Sequence, residues 1–164
     1  MSRMAVEISI GLIGIMALWL GIMKIAEASG LIRIIARALK PITVRLFPDV
    51  PADHPAIGSI VLNMAANMLG LGNAATPLGL KAMEELQELN PKKDTATNAM
   101  VMFLAINTSS VQIIVPATVV ALMGVAASQI FIPTILATLA STITAIIMVK
   151  LLEKMKRFSV ESES

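Results

Sequence analysis

The apolar positions of this chain come in long unbroken runs, not in the alternation of half-buried strands or the narrow stripe of soluble helices. Residues 8–23, ISIGLIGIMALWLGIM, carry no charge and extend about 24 Å as a helix, a little short of a hydrocarbon core of about 30 Å. Lys24 can snorkel, and Ala26 and Ala28 lengthen the segment, so a first span is expected over 5–28. Two charge-free stretches follow, 26 residues from Pro55 to Leu80 and 55 from Thr95 to Val149. The longer one holds two spans, 96–123 and 130–152, with a turn near Gly124 to Ile130. The shorter one fits either a single crossing or two short helices that meet near the midplane and return.

Between the first two runs lies LIRIIARALKPITVRLFPDVP, with Arg33, Arg37 and Lys40 three or four apart and Leu31, Ile35 and Leu39 on another side. This predicts an interfacial helix within 29–47, its basic residues toward anionic membrane lipid. Pro41 can bend or restart it, and Pro48, Pro51 and Pro55 end it. Charge then decides how 55–80 runs. A single crossing would leave Lys150, Lys154, Lys156 and Arg157 on the outer side, away from Lys24, Arg33, Arg37, Lys40 and Arg45. A re-entrant hairpin at 57–80 gathers residues 29–54, 81–94 and 150–164 in the cytoplasm, as the positive-inside rule asks. Gly70, Gly72 and Asn73 suit the reversal, and Pro77 is expected to interrupt the return arm. Irregular backbone at membrane depth is tolerated only under a cover of protein or along a cavity.

The expected fold is therefore an all-α integral membrane protein with three transmembrane helices, a re-entrant helical hairpin and a broken helix. It forms one domain over 1–158 with a polar tail at 159–164, in the cytoplasmic (cell) membrane as a multi-pass protein. Composition agrees: 56% of residues are hydrophobic and 15% charged, with a mean hydropathy of +0.81, against about 25% charged in soluble domains. There is no cysteine, and His54 is the only histidine, which excludes thiolate metal sites, disulfides and iron–sulfur ligation. The net charge of +2 sits in membrane flanks and makes no stripe for a nucleic-acid backbone, so no nucleic acid is expected as a partner.

Within the apolar runs the polar residues fall in rows. Ser59, Asn63 and Asn67 recur every four residues, and Asn98, Ala105, Ser109 and Gln112 are expected to share a face of another helix. A third row, Thr134, Thr138, Ser141 and Ala145, marks the last helix. Unpaired amides are costly in hydrocarbon, so the Asn rows must face the bundle. They serve either as interhelical hydrogen bonds or as the lining of a site. Two interruptions favour a site: the hairpin tip with Asn73 and Thr76, and the segment Asn107, Thr108, Ser109, Ser110 and Gln112 ahead of Pro116, where the helix is expected to loosen. Neither interruption contains a carboxylate or a base, so the expected ligand is a small polar solute, neutral or an anion held by helix-end amides. No catalytic residue, metal site or cofactor is expected, and the chain is read as a non-enzyme. Gly11, Gly14 and Gly21 put small residues along one side of the first helix, suited to close approach of a helix from this chain, a second copy or a partner.

The stretch Asn63 to Met83, NMAANMLGLGNAATPLGLKAM, then Leu89-Asn90-Pro91, Thr97-Asn98-Ala99-Met100 and Phe103 to Ser110, FLAINTSS, resembles the spore maturation protein A family. That family belongs with the nucleoside-recognition or Gate domains, related to membrane parts of nucleoside and ferrous-iron transporters. The resemblance covers nearly all of 5–155. It implies a complex with a sister subunit, spore maturation protein B, and an effect on dehydration of the spore core in spore formers. It brings no catalytic set; the matching positions include Asn63, Asn67, Asn73, Thr76, Asn98, Asn107, Thr108 and Ser109. Family members usually carry a further hydrophobic segment ahead of the position of Ala5, and without it the amino terminus is expected outside.

Overall fold

The computed structural model describes residues 6, 10, 13–14, 17–18, 21–22, 24–25, 28–109, 111–115 and 117–155, with helical backbone alone at 72–74, 117–118, 121 and 125. Among these residues the structure is all helical, with no strand. Every described position from Val6 to Ala28 is helical, and Gly30, at φ +82°, turns the chain into α1, Leu31–Leu46. The helix is amphipathic, with Arg33, Arg37, Lys40 and Arg45 exposed, but its buried side is Ile32, Ala36 and Thr43, while Leu31 of the expected apolar side is exposed and Ile35 and Leu39 are half-buried. Pro41 lies inside α1 and does not restart it. Phe47, 1% exposed, and Val50 then anchor the proline-rich turn in the core.

A helical hairpin follows. The first arm, α2, spans Pro55–Met68 and the second, α3, Gly72–Glu88. These two arms make the most extensive interhelical contact among the described elements. Small residues allow it: Ala56, Ala65 and Ala66 on α2 and Ala75 and Ala82 on α3 are buried, so the backbones can come close. Proline at the first position of α2 and His54 ahead of it start the helix, His54 Nδ1 accepting from Ala56 N–H at 3.3 Å. Gly70, at φ +73°, ends it. Leu71 N–H donates to the Ala66 carbonyl at 3.0 Å and Gly70 N–H to that of Asn67 at 2.9 Å, the paired bonds of a Schellman turn that glycine's left-handed conformation permits.

The hairpin differs from the sequence expectation at its return arm. Pro77 is inside α3 and does not interrupt it, and the helix runs on past Leu80 to Glu88. Pro77 is the sixth residue of α3, so only the Asn73 carbonyl loses its usual donor. Beyond Leu80, LysAlaMetGluGluLeuGlnGlu is made of good helix formers, with Lys81 and Glu85 paired at 3.8 Å one turn apart. The arm therefore leaves the apolar stretch as one continuous helix.

A loop closed by Asn90 leads onward. Asn90, 4% exposed, donates to the carbonyl of Thr95 and to Gln87 Oε1 and accepts from Lys92 N–H. Thr97 Oγ1 then accepts from Met100 N–H at 3.3 Å and caps α4, Asn98–Ser109. The expected loosening after Thr108 is a full break: α4 ends at Ser109, and the helix resumes as α5, Ala117–Met123. A 3₁₀ segment, Gly124–Ile130, turns into α6, Phe131–Glu153. Among the described residues one helix is long and apolar enough to cross a membrane, Ala126–Glu153, and only 6% of its most apolar window is buried.

Candidate functional site

The site is built where the hairpin meets the break. Met68, the last residue of α2, points its carbonyl at two backbone amides of the broken segment, Ile113 at 3.0 Å and Ile114 at 3.2 Å. A helix C-terminus leaves carbonyls without intrahelical donors, and a break leaves amides without acceptors, so each satisfies the other. On its other side the break is tied to α6. Gln112 N–H donates to Thr138 Oγ1 and Thr142 Oγ1 donates to the Ser109 carbonyl, both at 3.3 Å.

One turn into the hairpin, three asparagines form a chain. Asn63 Nδ2 donates to the Ala75 carbonyl at 2.8 Å, across the hairpin. Asn67 Nδ2 donates to Asn107 Oδ1 at 2.9 Å and, more weakly, to Asn63 Oδ1 at 3.3 Å. Asn107 Nδ2 returns to the Phe103 carbonyl at 3.0 Å within α4. Asn63 is 2% exposed, whereas Asn67 and Asn107 are half-buried. Their exposed edges face two cavities. One, of about 280 Å³, lies between the hairpin and α4 and is lined by Asn63, Asn67, Thr76, Gly79 and Asn107 among apolar residues. The other, of about 240 Å³, lies between α1, α2, the break and α6, with Asn67, Asn107 and Thr142 as its polar lining. Asn67 and Asn107 thus line both, and their hydrogen bond stands between them.

Of the residues singled out in the sequence, the structure brings together Asn63, Asn67, Thr76 and Asn107. Asn73 is in the first turn of α3, its side chain outside the described residues. Asn98 is the first residue of α4 and lines neither cavity. Thr108 is exposed and donates to the Leu104 carbonyl, while Ser109 Oγ donates to that of Ala105 at 2.8 Å. These are bonds back to the preceding turn, common for hydroxyls in helices. Gln112 does not share a face with Asn98, Ala105 and Ser109, because the helix has already ended when the chain reaches it. Asn107, which that row omitted, is the polar α4 residue that lines the cavity against the hairpin and bonds to Asn67, beside Phe103 and Leu104. On α6 the buried hydroxyl is Thr142 and Ser141 is exposed, because Thr134, Thr138 and Thr142 form the straight four-residue row. Sequence reasoning also missed Gly79. A Cβ there would lie 2.9 Å from Asn63 Nδ2, so the missing side chain makes room for the Asn63 amide.

Two of the three glycines proposed for packing, Gly14 and Gly21, are helical, with no described atom within 4 Å of where a Cβ would stand. Gly11 lies outside the described residues, as does the tail at 159–164. Among the described residues no group of His, Asp and Glu is placed to hold a metal.

The family model described as nucleoside recognition, Gate, matches residues 9–124, a span that contains the hairpin, the asparagine chain and the break. Spore maturation protein A of Bacillus subtilis (strain 168) is 50% identical over 150 residues, covering 89% of this chain and 76% of that protein. No solved structure matches.

Proposed function

This chain belongs to the Gate, or nucleoside-recognition, family and to its spore maturation protein A relatives, and on that premise we propose that it is a subunit of a multi-pass membrane complex that recognises or passes a small polar solute. The observation that carries this reading is the position of the Asn67–Asn107 hydrogen bond between two cavities. Cavities of 240–280 Å³ fall just under the range of about 300–1,000 Å³ usual for drug-sized ligands, which suits a small solute. The lining is mostly apolar, with amides and a hydroxyl but no charge, so the solute proposed is a small polar one whose hydrogen-bonding groups meet Asn67 and Asn107. No catalytic role is proposed.

The membrane arrangement we propose has spans at 5–28, 96–123 and 130–152 and a re-entrant hairpin from 57–80 whose second arm continues to Glu88. The arms are about 21 Å and 26 Å long at 1.5 Å per residue, α2 being too short to span about 30 Å of hydrocarbon. The partner proposed is a sister subunit like spore maturation protein B, and in spore formers the complex serves dehydration of the spore core. The open Gly14 and Gly21 face and the exposed apolar side chains of the N-terminal segment and α6, among them Ile10, Ile13, Ile132 and Leu136, are surfaces that lipid, a second copy or that sister would cover.

A second reading, a scaffold or sensor that transports nothing, is favoured by one feature: the amide nitrogens of Asn63, Asn67 and Asn107 are all bonded within the protein. Liposomes holding the protein with its sister, screened against nucleosides, dipicolinate and metal ions, separate the two. Flux or binding that needs both subunits and falls roughly 5- to 150-fold in Asn107→Ala, the scale of one lost hydrogen bond, supports the solute path. A tight complex without flux or ligand binding supports the scaffold.

A further inference from the structure

A third cavity, of about 460 Å³, lies away from the asparagine chain, between α1 and the start of α2. Arg33, Arg37 and Lys40 line it from one face of α1, and Asp53 and His54 from the turn ahead of α2. Among the described residues none of the three cations makes an ion pair. Because His54 Nδ1 accepts from Ala56 N–H, the proton of a neutral His54 is on Nε2, which can only donate. The first amides of α2 are already engaged: Ala56 by that side chain and Ile57 by the His54 carbonyl. Recognition there rests on side chains, and the lining keeps two net positive charges with His54 neutral. The remaining wall is apolar, with Ala36, Ile57 and Val61 buried beneath it. A neighbouring cavity of about 600 Å³ shares Arg33 and Leu62.

We infer that this cavity is a binding site for an anionic phosphate ester, with Arg37 and Lys40 as its principal contacts and Arg33 at the junction with the next cavity. Clustered guanidinium and ammonium donors above an apolar floor match a phosphate joined to an apolar body. An anionic phospholipid headgroup and a free phosphate share that chemistry. The site differs from a merely basic helix lying on a charged membrane, since there every cation contributes alike. Arg45 is on the same helix, exposed and outside the cavity, and serves as the internal control.

The full chain, purified in a neutral detergent, is examined by native mass spectrometry and thermal unfolding with phosphatidylglycerol, phosphatidylcholine or inorganic phosphate added. Wild type should retain phosphatidylglycerol in preference to phosphatidylcholine. The variant R37Q/K40Q should lose roughly tenfold in occupancy, as expected for lost charge-assisted hydrogen bonds, while R45Q stays within about twofold, the smaller effect of one distant surface charge. Stabilisation by inorganic phosphate that R37Q/K40Q abolishes identifies free phosphate as a ligand; stabilisation by phosphatidylglycerol alone identifies the lipid. Equal losses in R45Q and R37Q/K40Q, or no preference for either anion over phosphatidylcholine, overturn the site. Photoreactive phosphatidylglycerol on wild type tests it without any substitution: adducts should concentrate in residues 33–40 and 52–58, and an even spread along 31–46 refutes it.

Discussion

Asn63 fits because Gly79 has no side chain, and this pair shows how finely the hairpin is fitted. The Asn63 amide is held by its bond to the Ala75 carbonyl, so a methyl group 2.9 Å from it cannot be accommodated by swinging the amide aside without losing that bond. Gly79→Ala should destabilise the protein by about 1–3 kcal/mol, the usual range for overpacking, measured by unfolding in detergent. In the background Asn63→Ala the same change should cost much less, because the obstacle is gone. Additive effects of the two substitutions would show that they do not meet. In the sequence Asn63 and Asn67 were legible as a row, since polar side chains four apart in an apolar helix have to face protein. Asn107 was legible only as part of an interruption. Its pairing with Asn67, forty positions away, depends on tertiary docking, and no local pattern encodes that.

At the scale of elements, Gly58 within the first hairpin arm and Gly70 just past its end have opposite roles. Gly70 is left-handed and closes the turn, whereas Gly58 is an ordinary helical residue with nothing within 4 Å of its absent Cβ. Gly70→Ala should therefore lower stability by about 1–2 kcal/mol, the penalty of that conformation for a residue with a Cβ. Gly58→Ala should raise it by about 0.5–1 kcal/mol through helix propensity. Equal effects in a thermal or denaturant melt would contradict the turn assigned here. The elements themselves were largely readable. The uncharged runs pointed to the hairpin and to the helices after Thr95, the spacing of Arg33, Arg37 and Lys40 to α1, the glycines to the reversal, and the uncharged polar cluster before Pro116 to the break, while the extension of α3 from Lys81 to Glu88 lay outside any such run. Two features were misjudged for the same reason. Pro77 was expected to interrupt its helix and Gln112 to remain in one, although a helix can continue past a proline at the loss of one backbone bond, here that of the Asn73 carbonyl, and a break can begin several residues ahead of its proline.

For the whole molecule, the proposed topology turns on which water phase each connection meets. With the hairpin returning to its side of entry, single-cysteine labelling in intact cells should place Lys40 and Glu88 in the cytoplasm with Glu161, and Val125 on the opposite side. Labelling of Glu161 from outside would mean that 55–80 crosses. Either arrangement must respect the tie between α2, the break and α6. Since the Met68 carbonyl holds Ile113 and Ile114, and Thr138 and Thr142 hold the far side of the same segment, the hairpin tip cannot shift alone. These two amides are therefore natural gauges of it. Their deuterium uptake should be slow while the tip is seated, and a solute or partner that displaces the hairpin should quicken both together, with Leu104 and Ala105 in the middle of α4 unchanged. Independent rates at Ile113 and Ile114 would mean that one carbonyl does not govern the two.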